Sequence, residues 1–300
     1  MSGIAVIGSV AFDDIVTPNG RADDVLGGSA THFAVAASFF APVHLIAVVG
    51  EDFPQAERDY LASRGIDVAG LETRPGKTFR WTGRYHEDMN VRDTLRLDLN
   101  VFAEFEPRVS AATRKLPFVY LGNIAPALQQ SVLDQFAAPK LVACDTINHW
   151  IETARPEFEA ILPRLDLLVL NDEETRLLAQ ERNTVRAARR ILERGVKRML
   201  VKRGEYGAIL FSADSVFAVP AYPLEEVFDP TGAGDSFAGG LIGYLAATGD
   251  LSEASLRRGI VYGSVIASFI VEDFGGRRLR RLTRDDVEHR YKRFVALTEF

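Results

Sequence analysis

A glycine-rich turn with two carboxylates, at residues 229–240, carries the most specific chemical pattern in this sequence. The segment reads DPTGAGDSFAGG, and the apolar residues after it have helical spacing, so it is predicted to begin a buried helix. A helix N-terminus offers unpaired N–H donors and a partial positive charge, which together suit a phosphate group. Asp235 would repel that phosphate, and we therefore predict that it takes a proton from a nucleophile beside it. The alternative is a glycine turn in which the carboxylate only caps the helix.

A second pair of carboxylates follows the first apolar segment of the chain. Residues 4–10 are a continuous apolar run, which is typical of a buried strand, and Asp13 and Asp14 come shortly after it. Ligands of α/β proteins bind at the carboxyl ends of such strands, and a carboxylate there can accept hydrogen bonds from vicinal hydroxyl groups. The alternative is that either carboxylate only caps a turn.

Other polar residues lie at predicted ends of strands and helices. Gly27 and Gly28 precede a helix of small residues, and paired glycines allow backbone N–H groups to approach a ligand closely. Asn171 and Glu174 follow the predicted strand at 167–170. Oxygen groups of this kind suit Mg²⁺, but acidic residues are also ordinary at helix starts.

A strand–glycine turn–strand pattern lies at residues 201–208. Either Lys202 or Arg203 neutralises a phosphate there, or each is simply a solvated charge. A nearby sequence at 70–78 almost spells a P-loop, but it has one residue too many between its glycines. An alternating strand follows it instead of a helix, so it is not predicted to bind phosphate.

These residues need a framework of alternating strands and helices, which indicates an α/β domain with a mainly parallel sheet. Strands are predicted at 4–10, 43–49, 118–121, 141–144, 167–170, 199–202, 208–211 and 216–219. Helices are predicted at 55–63, 127–136, 151–161, 173–178, 185–194, 252–271 and 284–295. We find no internal repeat or low-complexity linker, so residues 1–300 are predicted to form one domain.

The strand–helix alternation breaks between residues 71 and 100. Residues 78–86 and 94–99 alternate between apolar and polar side chains, which indicates half-buried strands of a small sheet. Such an insertion usually covers a site, and we predict that 71–100 and 13–26 form a lid. The lid aromatics either stack on a base of the substrate or form the lid's own small core; they are Phe79, Trp81 and Tyr85.

Composition and charge argue against several classes of protein. The net charge is −6 without a basic face, so nucleic acid is not an expected partner. A single cysteine, Cys144, excludes disulfides within the chain and fits a cytoplasmic location. We see no apolar run of 18 residues and no signal-peptide pattern, and therefore expect no membrane segment. The chain also lacks a G-x-G-x-x-G after its first strand, which argues against a dinucleotide oxidoreductase.

The turn at 229–235 resembles the second signature of the ribokinase (PfkB) family of sugar and nucleoside kinases, D-T-x-G-A-G-D. Pro230 stands where that signature has the Thr that follows its first Asp. The glycine pair resembles the first signature of the family, with His32 where the family commonly has Asn. Residues 171–174 match the family's N-x-x-E motif. The similarity extends over residues 4–275, with each motif in the expected order.

This resemblance implies a ribokinase-like three-layer α/β/α sandwich with a small β-sheet lid. It implies a kinase that uses ATP and Mg²⁺ to phosphorylate the hydroxymethyl group of a sugar or sugar-like substrate. The alternatives are a nucleoside kinase of the same family and, from another class, a non-catalytic ligand-binding or regulatory protein on the same fold. Independently of the resemblance, an exposed strand edge or face of the lid would need a partner, so a homodimer formed through the lid is also expected.

The resemblance also assigns roles to particular residues. Asp235 would be the general base, beside an anion hole of Gly232, Ala233 and Gly234. Substrate would contact Asp13 (with Asp14 as the competing position), Gly27, Gly28 and His32, although His32 is alternatively a packed core residue. Nucleotide would contact Asn171, Lys202, Gly204, Gly207 and Ser264. Glu174 would act on Mg²⁺ through water, and Asp229 and Thr231 are candidates for the family's monovalent-cation loop, which would hold K⁺.

Overall fold

The computed structural model describes residues 2–299, in which strands and helices alternate along most of the chain. The strands are β1 (Ile4–Ile7), β2 (Ala11–Thr17), β3 (Gly20–Gly27), β4 (Val43–Gly50), β5 (Ile66–Arg74), β6 (Phe79–Tyr85), β7 (Arg92–Asp98), β8 (Phe118–Leu121), β9 (Leu141–Cys144), β10 (Leu167–Asn171), β11 (Met199–Lys202), β12 (Ala208–Phe211) and β13 (Val216–Val219). The helices are α1 (Ser29–Ala37), α2 (Gln55–Ser63), α3 (Pro126–Leu133), α4 (Asn148–Thr153), α5 (Arg155–Ile161), α6 (Asp172–Ala179), α7 (Thr184–Leu192), α8 (Ala233–Thr248), α9 (Glu253–Ile270), α10 (Arg277–Arg281) and α11 (Arg284–Thr298).

A large sheet forms the middle layer of the domain. Its strands lie in the order β13-β12-β11-β10-β9-β8-β1-β4-β5, and the seven from β11 to β5 run parallel. The chain proceeds from β1 to β4 and β5 on one side, and later fills the other side from β8 outward. The strand order therefore reverses between β1 and β8, which is where α/β folds form a ligand crevice at the carboxyl ends of their strands.

Helices cover both faces of this sheet, so the predicted three-layer α/β/α sandwich is confirmed. Strand β1 shows how the core is divided, because successive side chains of a strand point to opposite faces. Ile4 and Val6 pack in one apolar layer, with α1, α8 and α9, whereas Ala5 and Ile7 pack in the other, with α5 and α7. Each of these four β1 residues is fully buried.

A second, four-stranded sheet has the order β3-β2-β6-β7 and is formed by residues 11–27 and 79–98. The predicted lid boundary at residue 71 is wrong, because β5 pairs with β4 as an edge strand of the large sheet. The predicted first strand is also too long, since β1 ends at Ile7 and a new strand of the small sheet begins at Ala11. The helix predicted at 151–161 is two helices, because the backbone leaves the helical conformation at Ala154.

Helix α9 is the longest helix and is largely buried against α8 and α11. Within residues 2–299, no single helix is long and apolar enough to cross a membrane. Helix α9 together with residues 274–281 meets that length and composition only as a pair bent by 98°.

Glycines let α8 pack unusually close to its neighbours. A Cβ added to Gly239 would clash with the Phe33 carbonyl and lie 2.8 Å from the Ala36 Cβ of α1. A Cβ on Gly243 would lie 3.0 Å from the Ala37 Cα of the same helix. This close contact sets the distance between the N-termini of α1 and α8, which carry the Gly27–Gly28 pair and the Asp235 turn.

We predict that Gly239→Ala lowers the free energy of unfolding by about 1–3 kcal/mol, the usual cost of overpacking a core. Denaturant unfolding would measure it, with Thr248→Ala on an exposed part of α8 as the control. A Gly239→Ala protein as stable as the wild type would contradict a tight α1–α8 contact.

Candidate active site

Polar side chains from several strand ends converge beside the N-terminus of α8. Asp145 follows β9, and the side chain of Lys202 at the end of β11 forms an ion pair with it, Nζ to Oδ2 at 2.9 Å. Both side chains are mostly buried. A Cβ added to Gly234 would lie 2.7 Å from the same Nζ, so Lys202 reaches the glycine turn that begins α8.

The turn before α8 is held in place by the carboxylate of Asp229. This fully buried side chain accepts the N–H of Thr231 on Oδ1 at 2.8 Å and the N–H of Gly275 on Oδ2 at 2.9 Å. Gly232 adopts a left-handed conformation, with φ of 73°, and the helix begins at the next residue. Asp229 thus connects the turn to the segment before α10. The assignment of a K⁺ ion to Asp229 and Thr231 stays a prediction.

Asp235 lies in the first turn of α8, facing several other ionisable groups. Burial, together with the negative charge of Asp145, raises its pKa to about 7, although Lys202 and Arg92 act in the opposite direction. A carboxylate with a pKa near neutrality can both accept and release a proton at physiological pH. The first-turn position also places it beside the N–H groups of Gly232 and Gly234. The N–H of Ala233 lies in the same turn but donates to the Pro230 carbonyl at 3.1 Å.

The N-x-x-E segment forms a capping box at the start of α6. The Asn171 side chain accepts the N–H of Glu174, and the Glu174 carboxylate accepts the N–H of Asn171, both at 2.8 Å. Burial and the charge of Asp145 raise the pKa of Glu174 to about 7. The motif therefore has the capping role that the sequence left open, and it also brings Glu174 close to Asp145 and Asp235.

Asp13 is buried on strand β2 and approaches the same turn from the other side. Its carboxylate accepts the N–H of Gly28 and fills the space that a Cβ on Gly27 would need, which explains the glycine pair. Burial, followed by the charges of Asp229, Asp14 and Asp235, raises the pKa of Asp13 to about 8. Asp13 is therefore packed among acidic residues of the site.

Asp14 points away from the site, because neighbouring residues of a strand face opposite sides of a sheet. Its carboxylate accepts the N–H of Asp24 at 2.9 Å and a weak hydrogen bond from the Thr82 hydroxyl at 3.4 Å. Asp13, and not Asp14, therefore lies beside the turn before α8, and contact of Asp13 with substrate stays a prediction.

His32 is buried on α1, with its ring packed against the turn at Gly232 and near Gly276. Burial lowers its pKa to about 4, which keeps the imidazole neutral, and its Nε2 has no hydrogen-bond partner within residues 2–299. This is the packed arrangement that the sequence left as an alternative. Contact between His32 and substrate stays a prediction.

The remaining nucleotide-binding candidates are more widely separated. Gly204 adjoins the side chain of Asn90, whereas the glycine at 207 is required by close backbone packing against residues 219–221. Arg203 stacks on the exposed ring of Tyr206, so Lys202 is the cation directed at the site. Ser264 is buried on α9. Within residues 2–299, its hydroxyl forms no hydrogen bond.

The small sheet lies over this site, and hydrogen bonds connect the two, one of them to the turn before α8. The hydroxyl of Thr231 donates to the hydroxyl of Tyr85 on β6 at 3.1 Å. Asp13 pairs with Trp81 across β2 and β6, so both side chains are on the same face of the small sheet. Phe79 instead stacks on Phe102, with ring centroids 5.3 Å apart, in a separate aromatic cluster.

Two residues of this site were not among our sequence candidates, Asp145 and Arg92. Asp145 follows a buried parallel strand, so the rule that selected Asp13 would also have found it. Arg92 has no local signal, because it is one of several charged residues in an alternating strand.

The residues present fit a divalent cation bound together with a phosphate. Asp145 lies close enough to raise the pKa values of Glu174 and Asp235, and Lys202 supplies a compensating positive charge nearby. No group of three or more His, Cys, Asp or Glu within residues 2–299 has the geometry of a protein-only metal site. Mg²⁺ commonly takes only one or two carboxylates and completes its shell with water and phosphate oxygens.

Comparisons with known proteins identify the family and the fold of this chain. The model of the pfkB family of carbohydrate kinases matches residues 2–280. A cytidine kinase of Thermococcus kodakarensis is 31% identical over 252 residues, which cover 81% of this chain and 89% of that protein. The structure of a Burkholderia thailandensis nucleoside kinase with ADP-inosine has a TM-score of 0.79 at 17% identity, over 98% of this chain and 96% of that one. An Escherichia coli structure in complex with ATP and Mg²⁺ has a TM-score of 0.77 at 21% identity, over 98% of this chain and 100% of that one.

We predict that Asp13→Asn raises the melting temperature, and that the gain grows with pH. Because the pKa rises from 3.8 to about 8 on folding, the folded state holds a proton that the unfolded state has released. Wild-type stability therefore falls as pH rises across that interval, and the amide removes this loss. The gain should be near zero at about pH 4 and several degrees at about pH 8.

Thermal unfolding from pH 4 to pH 8 measures this difference. Asp14→Asn removes a charge from the opposite face of the same strand and serves as the control. A gain for Asp13→Asn that does not change with pH would contradict the buried, acidic environment.

Proposed function

This chain belongs to the pfkB family of carbohydrate kinases, phosphotransferases that act on hydroxyl groups, and from that premise we propose that it phosphorylates the hydroxymethyl group of a nucleoside with ATP. The observation that carries the proposal is the shared face of Asp13 and Trp81 on the small sheet, above Asp235. A carboxylate there suits the vicinal hydroxyls of a ribose, and an aromatic ring beside it suits a base.

Asp235 acts as the general base in this proposal. The substrate hydroxyl oxygen attacks the γ-phosphorus of ATP, its proton passes to the Asp235 carboxylate, and the bond between the γ-phosphorus and the bridging oxygen breaks. ADP leaves with the electron pair of that bond. The raised pKa of Asp235, about 7, supports this role because it matches the acceptor to physiological pH.

The N–H groups of Gly232 and Gly234 bind the charge that develops on the transferring phosphoryl group. The N–H of Ala233 joins them by exchanging its hydrogen bond to the Pro230 carbonyl for one to the phosphoryl group. The ammonium of Lys202, next to Gly234, adds a fixed positive charge at the same place. Asp145 and Glu174 are the side chains that would hold Mg²⁺, directly or through water. When bound, the ion neutralises phosphate oxygens of ATP, as the neighbour solved with ATP and Mg²⁺ leads one to expect.

A sugar is the other substrate class that the sequence predicted, and both classes share the hydroxymethyl acceptor. A nucleoside is favoured as the substrate for two reasons. The sequence similarity to a cytidine kinase extends over most of this chain, and Trp81 lies on the same sheet face as Asp13. The indole Nε1 donates to the Thr94 hydroxyl at 3.1 Å, which holds the ring across the sheet. A non-catalytic protein on this fold would have no need of a buried carboxylate at the helix start.

We also propose that two copies of the chain pair through the small sheet. Strand β7 is an edge strand, and it and its flanking residues expose Val91, Leu95, Leu97 and Leu99. An edge strand with unpaired backbone N–H and C=O groups and exposed leucines is a template for pairing with another chain. A second copy is the occupant we favour, because an antiparallel edge strand is complementary to itself about a two-fold axis.

The catalytic proposal predicts that purified protein consumes ATP with a nucleoside, and that Asp235→Asn lowers turnover by roughly 10²–10⁴-fold, the usual contribution of a positioned base. Coupled detection of ADP across a panel of nucleosides and sugars measures it, with the exposed Asp214→Asn as control. Turnover with sugars alone would favour the other substrate class. No turnover with either class, or full activity of Asp235→Asn, would contradict the proposal.

The pairing proposal predicts that the wild type sediments at twice 33.1 kDa and that Leu95→Lys/Leu97→Lys sediments as a monomer. Charged side chains on an edge strand prevent strand pairing. Leu297→Lys, which changes an equally exposed leucine on α11, should leave the dimer intact. A monomeric wild type at micromolar concentration would overturn the proposal.

A further inference from the structure

A buried glutamine joins two neighbouring strands of the large sheet at the point where both end. Gln129 lies on α3, the helix that follows β8, and its side chain is fully buried. Its Nε2 donates to the carbonyl of Gly122 at 2.9 Å and to the carbonyl of Asp145 at 3.1 Å. Gly122 is the first residue after β8 and Asp145 the first after β9, so one carboxamide connects the carboxyl ends of two parallel strands.

These two hydrogen bonds extend the connection between β8 and β9 beyond their last paired residues. The register of the two strands ends at Leu121 and Cys144, and the N–H of Asp145 adds one more backbone bond, to the Leu121 carbonyl at 3.0 Å. The Cys144 thiol, a weak donor, also contacts the Asp145 carbonyl at 3.3 Å. Buried carbonyls past the end of a strand need donors from elsewhere, and a primary amide has two N–H groups, one for Gly122 and one for Asp145.

The Gly122 end of this connection is itself fixed to the core. The N–H of Gly122 donates to the carbonyl of Ile7 on β1 at 2.7 Å. A Cβ added to Gly122 would lie 3.0 Å from that carbonyl oxygen and 3.0 Å from the hydroxyl of Ser29 on α1. Gln129 is therefore attached to backbone that is packed against both β1 and α1, and it holds Asp145 relative to that fixed point.

Through Asp145, the connection reaches the charged groups of the site. Its carboxylate accepts the N–H of Thr146 on Oδ1 at 2.7 Å and the ammonium of Lys202 on Oδ2 at 2.9 Å. Because the carboxylate is bonded on both oxygens and the main chain is held by Gln129, the residue cannot turn at either end. Lys202 is thereby kept beside Gly234, whose added Cβ would lie 2.7 Å from its Nζ.

We propose that Gln129 is a positioning residue for phosphoryl transfer, which holds the main chain of Asp145 so that its carboxylate keeps Lys202 at the turn before α8. This inference rests on the proposed kinase function and deepens it. The role is indirect, because the side chain of Gln129 bonds to main-chain carbonyls and not to Asp235 or Lys202. The charge of Asp145 also raises the pKa values of Asp235 and Glu174, so its position affects the pH at which Asp235 accepts a proton.

The main test is Gln129→Met, which removes both hydrogen bonds and nearly keeps the length of the side chain. Once its main chain is released, the Asp145 carboxylate should move away from Asp235 and from Lys202. Both changes lower the pKa of Asp235, because a charge that raises it is lost and the ammonium that lowers it is no longer neutralised. We expect the acid limb of the kcat/KM pH profile to move down by about one pH unit, and kcat to fall about ten-fold, which is part of the contribution of a positioned base.

The matched control is Gln135→Met, at the other end of α3. The Gln135 side chain accepts the N–H of Val109 at 3.0 Å and donates to the carbonyl of Pro107 at 3.1 Å, so this variant also loses hydrogen bonds of a glutamine. It should lower the melting temperature without moving the pH profile. An equal shift of the acid limb in Gln135→Met and Gln129→Met would overturn the proposal, because the shift would then follow from lost stability alone.

Asp145→Asn shows whether Gln129 acts through the Asp145 carboxylate. This substitution removes the charge and keeps the shape of the side chain. Adding Gln129→Met to Asp145→Asn should therefore not move the acid limb further, whereas two independent effects would add. The same shift in the wild-type and Asp145→Asn backgrounds would overturn the proposal, because Gln129 would then act by another route.

The outcomes separate this inference from the proposed function. If the wild type phosphorylates an acceptor and Gln129→Met keeps the wild-type kcat and pH profile, the role of Gln129 is overturned while the kinase function stands. If the wild type phosphorylates no acceptor, the proposed function fails, and calorimetric binding of ATP with Mg²⁺ decides the role of Gln129. Binding about five-fold or more weaker in Gln129→Met than in Gln135→Met would support it, because Lys202 would no longer be held at the phosphate site. Equal affinity of the two variants would overturn it.

Discussion

The mutual repulsion of buried carboxylates is the constraint around which this structure is organised. Asp13, Asp145, Glu174 and Asp235 approach one another from four separate elements, and burial makes their charges costly. The cluster persists because the packed layers on both faces of the large sheet stabilise the fold enough to hold it together. Stability given up in this way is common at functional sites, where activity depends on groups that would separate if they were free.

Close packing of helices converts that constraint into a defined geometry. Helices α1 and α8 meet through glycine and alanine, so their N-termini cannot move independently. Asp229 adds a second connection, because its carboxylate joins the turn before α8 to the segment around Gly275. The floor of the site is therefore rigid. The small sheet touches this floor through far fewer contacts, among them Thr231 with Tyr85, which is consistent with a cover that opens and closes.

The sequence predicted the fold class and most element positions because these depend on local signals. Helix α2 and strands β8, β9, β11, β12 and β13 lie where apolar periodicity and glycine breaks placed them. These local signals failed for strands whose place in a sheet depends on which strand they pair with. Strand β5 has a mixed pattern, so the sequence places its last residues, 71–74, in the lid, whereas pairing with β4 makes the whole strand part of the large sheet. Ala11–Thr17 looked like a polar loop because its partners, β3 and β6, are distant in sequence.

By itself, the sequence determined the positions of the glycine turn at 229–235, the glycine pair and the N-x-x-E segment, because each is a short motif whose residues act through backbone geometry nearby. Only the tertiary structure decided which charges share the site. It placed Asp13 and Asp14 on opposite faces of β2, and it paired Lys202 with Asp145. It also placed Arg92 on the same face of the hairpin as Tyr85. The physical reason is that electrostatic interactions depend on distance through space, which residue spacing along the chain does not specify.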